Sequence, residues 1–197
     1  MTTPAKPRAF RPEAARKAIH LVAGSLPVMY ARGLDRGALL TLLGIASAIA
    51  VGIEGARHAS PRAQAMFERG VGPMLRRHEH RGVTGATWLA LSLLAAVLFL
   101  PQKPAIATLW CATIADPVAS IVGRACGHPS PRLAKTGLGS AACLLLAFVG
   151  VKFVAGFAPG VALAIAGAAM MAERYPGPFD DNLTVAAGVG LVAGVAA

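Results

Sequence analysis

Asp180, Asp181 and Asn182, within the run Phe179-Asp180-Asp181-Asn182-Leu183-Thr184, place two carboxylates and an amide against the last apolar stretch of the chain, which has only nine Asp and Glu among 197 residues. Oxygen donors grouped this way suit a hard divalent cation, and ionisable groups at a membrane border point to function by default. Helix capping is the competing account, with Asn182 or Asp181 as the cap and Pro176 and Pro178 as breakers. It explains one residue of the three. A second constellation, Ala115-Asp116-Pro117 through Gly123-Arg124, sets Asp116 and Ser120 one helical turn apart on a face shared with Gly123. It reads as Asp116 binding a metal or nucleotide with Arg124 on a phosphate, or as a structural ion pair between helices. Pro117 is expected to break the helix locally and release carbonyls as further ligands.

A third segment, Lys135-Thr136-Gly137-Leu138-Gly139-Ser140-Ala141, opens the next apolar run. Small residues at a helix start let a phosphate approach the backbone amides, where the helix dipole favours an anion. Lys135 adds a point charge and Ser140 a hydroxyl. Glycine, serine and an interfacial lysine are also ordinary at the start of a membrane helix. No Walker-type loop occurs, so an ATPase of that class is not supported. Taken alone, His20 reads as a satisfied interfacial histidine, and Arg76-Arg77-His78-Glu79-His80-Arg81 as a solvated charge run from which only Glu79 is kept.

The elements that must carry these groups are apolar. The chain is 55% hydrophobic and 14% charged, with mean hydropathy +0.59, where soluble domains are about 25% charged. Apolar segments cover about 18–34, 37–53, 83–100, 105–123, 138–157, 159–173 and 183–197. The fold class is therefore all-α, a single polytopic membrane domain with six to seven transmembrane helices. A loose cytoplasmic arm, 1–15, precedes it. A cytoplasmic loop, 54–82, carries a short amphipathic helix around 61–69. With the N-terminus cytoplasmic and seven spans, fifteen Lys and Arg lie inside and only Arg32, Arg36, Lys103 and Lys152 outside. That asymmetry follows the positive-inside bias and explains the +10 net charge without nucleic acid as a partner. It also sets Glu54, Glu79, Glu173, Asp180 and Asp181 at the cytoplasmic ends, with Asp116 within the fourth span. A charge at such depth costs about 2.5–3.5 kcal/mol on insertion scales, so Asp116 should face a polar cavity or a cation. Cys111, Cys126 and Cys143 form no CxxC and no disulfide framework.

The series as a whole resembles the CTP-dependent lipid kinases (dolichol kinase, phytol kinase and the CTP-using diacylglycerol kinases), distant relatives of phosphatidate cytidylyltransferase. The matching stretches are Arg16-Lys17-Ala18-Ile19-His20 with Gly24; Glu54 with Arg57; Arg76 and Glu79 leading to Thr84-Gly85-Ala86-Thr87; Ala115-Asp116 through Gly123-Arg124 and Gly127; Lys135-Thr136 with Gly139-Ser140; and Glu173 leading to Asp180-Asp181-Asn182-Leu183-Thr184. Ala115 stands where the family usually has Gly, and Leu138 where many members carry an acid. The resemblance implies phosphoryl transfer from CTP to a membrane lipid alcohol (a polyprenol, a phytol-like isoprenoid or diacylglycerol) at the inner, plasma membrane, with Mg²⁺ as cofactor. On that basis Asp116, Asp180, Asp181 and Asn182 take the metal. Lys135, Arg124 and Thr136 take the phosphates, with Gly123, Gly139 and Ser140 allowing close approach. Asp180, Glu173 and His20 are the candidate bases. The rival readings are CDP-lipid synthesis of the phosphatidate cytidylyltransferase type and a small transporter with Asp116 as its intramembrane site.

Overall fold

A computed structural model describes residues 18–126, 135–175 and 177–197, and every regular element among them is helical. The loose arm expected over 1–15, with Arg16, Lys17, Gly127 and Pro176, lies outside the described residues. The helices are α1 (Ala18–Ala31, interrupted at Gly24), α2 (Arg36–Ala59), α3 (Pro61–Val71), α4 (Gly85–Phe99), α5 (Gln102–Trp110), α6 (Asp116–Cys126), α7 (Gly137–Phe153), α8 (Pro159–Arg174) and α9 (Asp181–Val195). A 3₁₀ turn, Gly72–Met74, follows α3.

Two differences from the sequence reading are physical. First, α2 runs on to Ala59, so the expected loop 54–82 begins with helix, and α3 occupies the place foreseen for the amphipathic segment. Second, Pro117 does not break its helix. A π-helical turn, Cys111–Ala115, joins α5 to α6, and Gln102–Cys126 is one continuous rod of 25 residues. Proline lacks the N–H that an interior α-turn would use; the wider turn ahead of it takes up that mismatch, as π-bulges do.

Side chains tie neighbouring helix ends together. At one end, Arg36 donates to Val97 O and Leu98 O, and Gln102 to Tyr30 O. The opposite end gathers the C-termini of α2, α6 and α8 with the N-termini of α4, α7 and α9. Asp35, Thr136 and Asp180 cap α2, α7 and α9, accepting from the backbone N–H of Ala38, Gly139 and Asn182. The core is built from small residues with Leu39, Val97, Leu109, Ile165, Val185 and Val189 between them. Glycine permits the closest approach, at Gly150, which lies flat against the Trp110 indole while Trp110 Nε1 donates to Leu146 O at 2.9 Å. Helix α9 packs on α4, α5, the π-turn and α8, and its N-terminus lies against the start of α4. Among the described residues, two elements are long and apolar enough to cross a membrane, α2 and the Gln102–Cys126 rod.

Candidate functional site

Lys135, just ahead of α7, meets carboxylates from three other helices. Its Nζ lies 3.0 Å from Glu173 Oε1 at the end of α8 and 3.8 Å from Asp181 Oδ2 at the start of α9. Burial works against its charge, but the negative field of Asp116, Glu173 and Asp181 outweighs that and holds the Lys135 pKa above its ordinary value. Asp116 and Glu173 are each only 1% exposed. Asp116 opens α6 directly after the π-turn, a departure from helical regularity frequent at functional sites. Ser140, on the first turn of α7, donates to Glu173 Oε2 at 3.4 Å and accepts from Arg174 Nη1 at 3.1 Å.

The Lys135 segment is set against α6 by two glycines. A Cβ on Gly123 would stand 2.7 Å from Thr136 Oγ1, and one on Gly139 would stand 2.9 Å from Ala119 O. The pair lets the α7 N-terminus lie on α6 one to two turns beyond Asp116, while the Thr136 hydroxyl is spent on capping Gly139 N. Gly123, Gly139 and Thr136 thus position the site, which leaves Ser140 and Lys135 as the polar groups of that helix start facing the carboxylates.

Asp181 is clamped by Arg76, whose Nη1 and Nη2 donate to Oδ1 and Oδ2 at 3.1 and 3.0 Å. Arg76 Nη1 also stands 3.6 Å from Asp180 Oδ2. Burial opposes the Arg76 charge too, yet its hydrogen bond to Asp181 and the charges of Asp181, Asp180 and Glu79 raise its pKa further. Asp180 moves the other way for a carboxylate. Burial and the adjacent Asp181 charge raise its pKa against the opposing Asn182 N–H and Arg76. Asp180, rather than Asp181 or Asn182, is the helix cap, with Oδ1 accepting from Asn182 N at 3.0 Å. Asn182 Nδ2 bridges Asp180 Oδ1 at 2.7 Å and Gly85 O at 3.1 Å, tying α9 to the start of α4.

A buried ion network holds that neighbouring loop. Glu54 Oε1 accepts from Thr84 N, Thr84 Oγ1 and Thr87 Oγ1 at 2.8, 2.7 and 3.1 Å. Glu54 Oε2 takes Arg57 Nε at 2.6 Å, and Arg57 Nη2 donates to Glu79 O at 3.0 Å and to Gly82 O. Each partner of such a network is costly to remove, because the other is left as a buried charge.

The structure therefore brings together Asp116, Lys135, Ser140, Glu173 and Asp181, with Asp180 and Asn182 beside them. His20 is buried on α1 one turn before Gly24, which packs against Ile114 in the π-turn leading to Asp116. Arg124 is exposed on the last turn of α6. The expected metal set divides: both Asp181 oxygens are held by Arg76, and Asn182 uses its amide N–H₂ to orient Asp180. Asp180 Oδ2 is buried and accepts no hydrogen bond among the described residues, which suits a cation ligand. The sequence reading named Arg76 only within the resemblance, with no role of its own, and missed Arg174. Arg76 was masked by the basic run around it; Arg174 had a signal, since it follows the singled-out Glu173 directly. Compared with models of known protein families, with curated proteins and with solved structures, the chain shows no match in any of the three.

Proposed function

We propose that the protein is a multi-pass membrane phosphotransferase that moves a phosphoryl group from a nucleoside triphosphate, CTP by the resemblance, to a lipid alcohol. The observation that carries this reading is the convergence of Asp116, Glu173 and Asp181 on Lys135 at one end of the helices. Phosphoryl transfer asks for little beyond positioning and charge neutralisation, and cations interleaved with carboxylates supply both. Seven helical passes with the N-terminus in the cytoplasm put this end at the inner leaflet of the plasma membrane. Helix α2 supports the lipid setting: it is apolar and long enough to cross a membrane, and most of its residues are not buried by the rest of the chain. An uncovered apolar face of that size belongs in lipid rather than in water.

In this reading Lys135 exchanges its carboxylate partners for the phosphates, joined by Arg124, and Ser140 donates from the helix start. Asp116 would hold Mg²⁺ together with Asp181 as Arg76 releases it, and Asp180 lies beside them. Bound there, the ion would neutralise charge on the bridging phosphate oxygens. Asn182 and Arg76 orient these carboxylates. The proton of the alcohol passes to a nearby carboxylate, Asp180 or Glu173, or to His20. The alcohol's chain would lie along the apolar helix surface, with its hydroxyl at the polar end.

The test is the fate of labelled CTP in reconstituted protein offered a panel of polyprenol, phytol-like isoprenoid and diacylglycerol. Release of CDP with γ-phosphate on the lipid is expected. Pyrophosphate release with a CDP-lipid product would overturn the kinase reading in favour of a cytidylyltransferase.

A further inference from the structure

A second group of ligand-type side chains forms where the loop before α4 meets the start of α9. One donor atom from each of His78, Glu79 and Asp180 lies within 4.8 Å of the other two. The two carboxylates are fixed in place. Arg76 N donates to Glu79 Oε2 at 2.6 Å, and Gly85 N to Oε1 at 2.8 Å. Asp180 is held through Oδ1 by the Asn182 backbone and amide. Its side chain is 4% exposed, and Oδ2 accepts no hydrogen bond among the described residues. Arg76 Nη1 is 3.6 Å away, while the guanidinium donates its hydrogen bonds to Asp181. A buried carboxylate oxygen without a donor is costly, and a bound cation removes that cost.

We infer that His78, Glu79 and Asp180 bind one divalent first-row metal ion of the Mn²⁺ to Zn²⁺ series. An imidazole with two carboxylates suits those ions, whereas Mg²⁺ favours an all-oxygen octahedron that keeps its waters. Donors at about 2.1 Å from an ion stand at most about 4.2 Å apart. His78 is exposed at the start of the turn closed by Gly82 N on His78 O, so its ring is free to close the remaining gap. Three protein ligands leave positions open for water or an anionic ligand. The site needs only these side chains and does not rest on the phosphotransferase reading, although Asp180 is common to both.

The experiment uses the purified full-length chain in detergent, stripped with chelator and titrated with Mn²⁺ by electron paramagnetic resonance, without nucleotide. The wild type is expected to take up one Mn²⁺ per chain and to resist displacement by excess Mg²⁺. Removing an outer-shell partner of a metal site costs about 10–100-fold in affinity, so loss of a ligand in His78→Ala or Asp180→Asn should cost at least about tenfold. His80→Ala, whose exposed ring pairs with Glu68, should bind as the wild type does. Absence of stoichiometric Mn²⁺ uptake, wild-type affinity in His78→Ala, or ready displacement by Mg²⁺ would each overturn the inference. Since no nucleotide is present, failure here leaves the CTP assay standing, and the converse holds.

Discussion

The clamp between Arg76 and Asp181 joins the loop before α4 to the start of α9, residues 105 positions apart in the chain. Replacing Arg76 by Gln removes both charge-assisted hydrogen bonds and leaves two adjacent carboxylates facing each other. Hydrogen bonds to charged groups contribute about 1.5–3 kcal/mol, and breaking a fully buried pair costs about 3–5 kcal/mol. Arg76 keeps 29% of its side chain exposed and Asp181 retains Lys135 at 3.8 Å, which places the expected loss at the lower end, about 2 kcal/mol. For a chain of this length that corresponds to a fall of about 4–8 °C in Tm. Asp181→Asn removes the same pair from the other side but also relieves repulsion on Asp180, so its own loss should be smaller. The decisive quantity is the coupling in the double-mutant cycle, read from thermal unfolding of the detergent-solubilised protein, and about 1.5–2 kcal/mol is expected. Additivity within about 0.5 kcal/mol would refute the clamp, since residues without shared contacts add to that accuracy.

Other expectations follow from the same geometry. Because the Asp180 pKa is raised above 3.8, the native state binds its proton more tightly than the unfolded chain does. The stability this contributes is full below pH 3.8 and is lost as pH rises through the folded value, so ionised Asp180 is a net cost at neutral pH without metal. Asp180→Asn, which can keep the cap, should therefore raise Tm relative to wild type at pH 7 in chelator, with the gain shrinking toward pH 4; a lower Tm at pH 7 would contradict this. Gly139→Ala should cost about 1–3 kcal/mol by forcing α6 and α7 apart, because its Cβ would stand 2.9 Å from Ala119 O. Gly137→Ala meets nothing within 4 Å and should be neutral or stabilising by about 0.5–1 kcal/mol. Equal Tm values for the two variants would show that the α6–α7 crossing is not as close as described.

The helices were legible because apolar runs separated by Pro, Gly and charge report themselves directly in hydropathy. Asp180, Asp181 and Asn182 were legible for a related reason: in a chain this poor in acids, three such residues together exceed what capping requires. Their division of labour was not. Asn182 finds Gly85 O, 97 positions away, and Asp181 finds Arg76, and no local pattern encodes either partner. The role of Arg76 was hidden by Arg77, His78, His80 and Arg81, since a half-buried cation and its solvated neighbours look alike in sequence. Pro117 misled for the opposite reason. The local rule sees a missing N–H and predicts a break, whereas Cys111–Ala115, just ahead of Asp116 and Pro117, widen into a π-turn and keep the rod continuous. Likewise Gly139 was read as room for a phosphate, and its tightest neighbour is the backbone of α6.

The central claim is that Asp116, within the Gln102–Cys126 rod, works with Lys135 and the start of α9 as one catalytic centre. It is tested most directly by transfer of label from [γ-³²P]CTP to lipid alcohol in vesicles carrying wild type or Asp116→Asn at matched insertion and Tm. The account predicts labelled lipid phosphate and CDP from the wild type and none above background from the folded variant. Transfer by Asp116→Asn at the wild-type rate would contradict it.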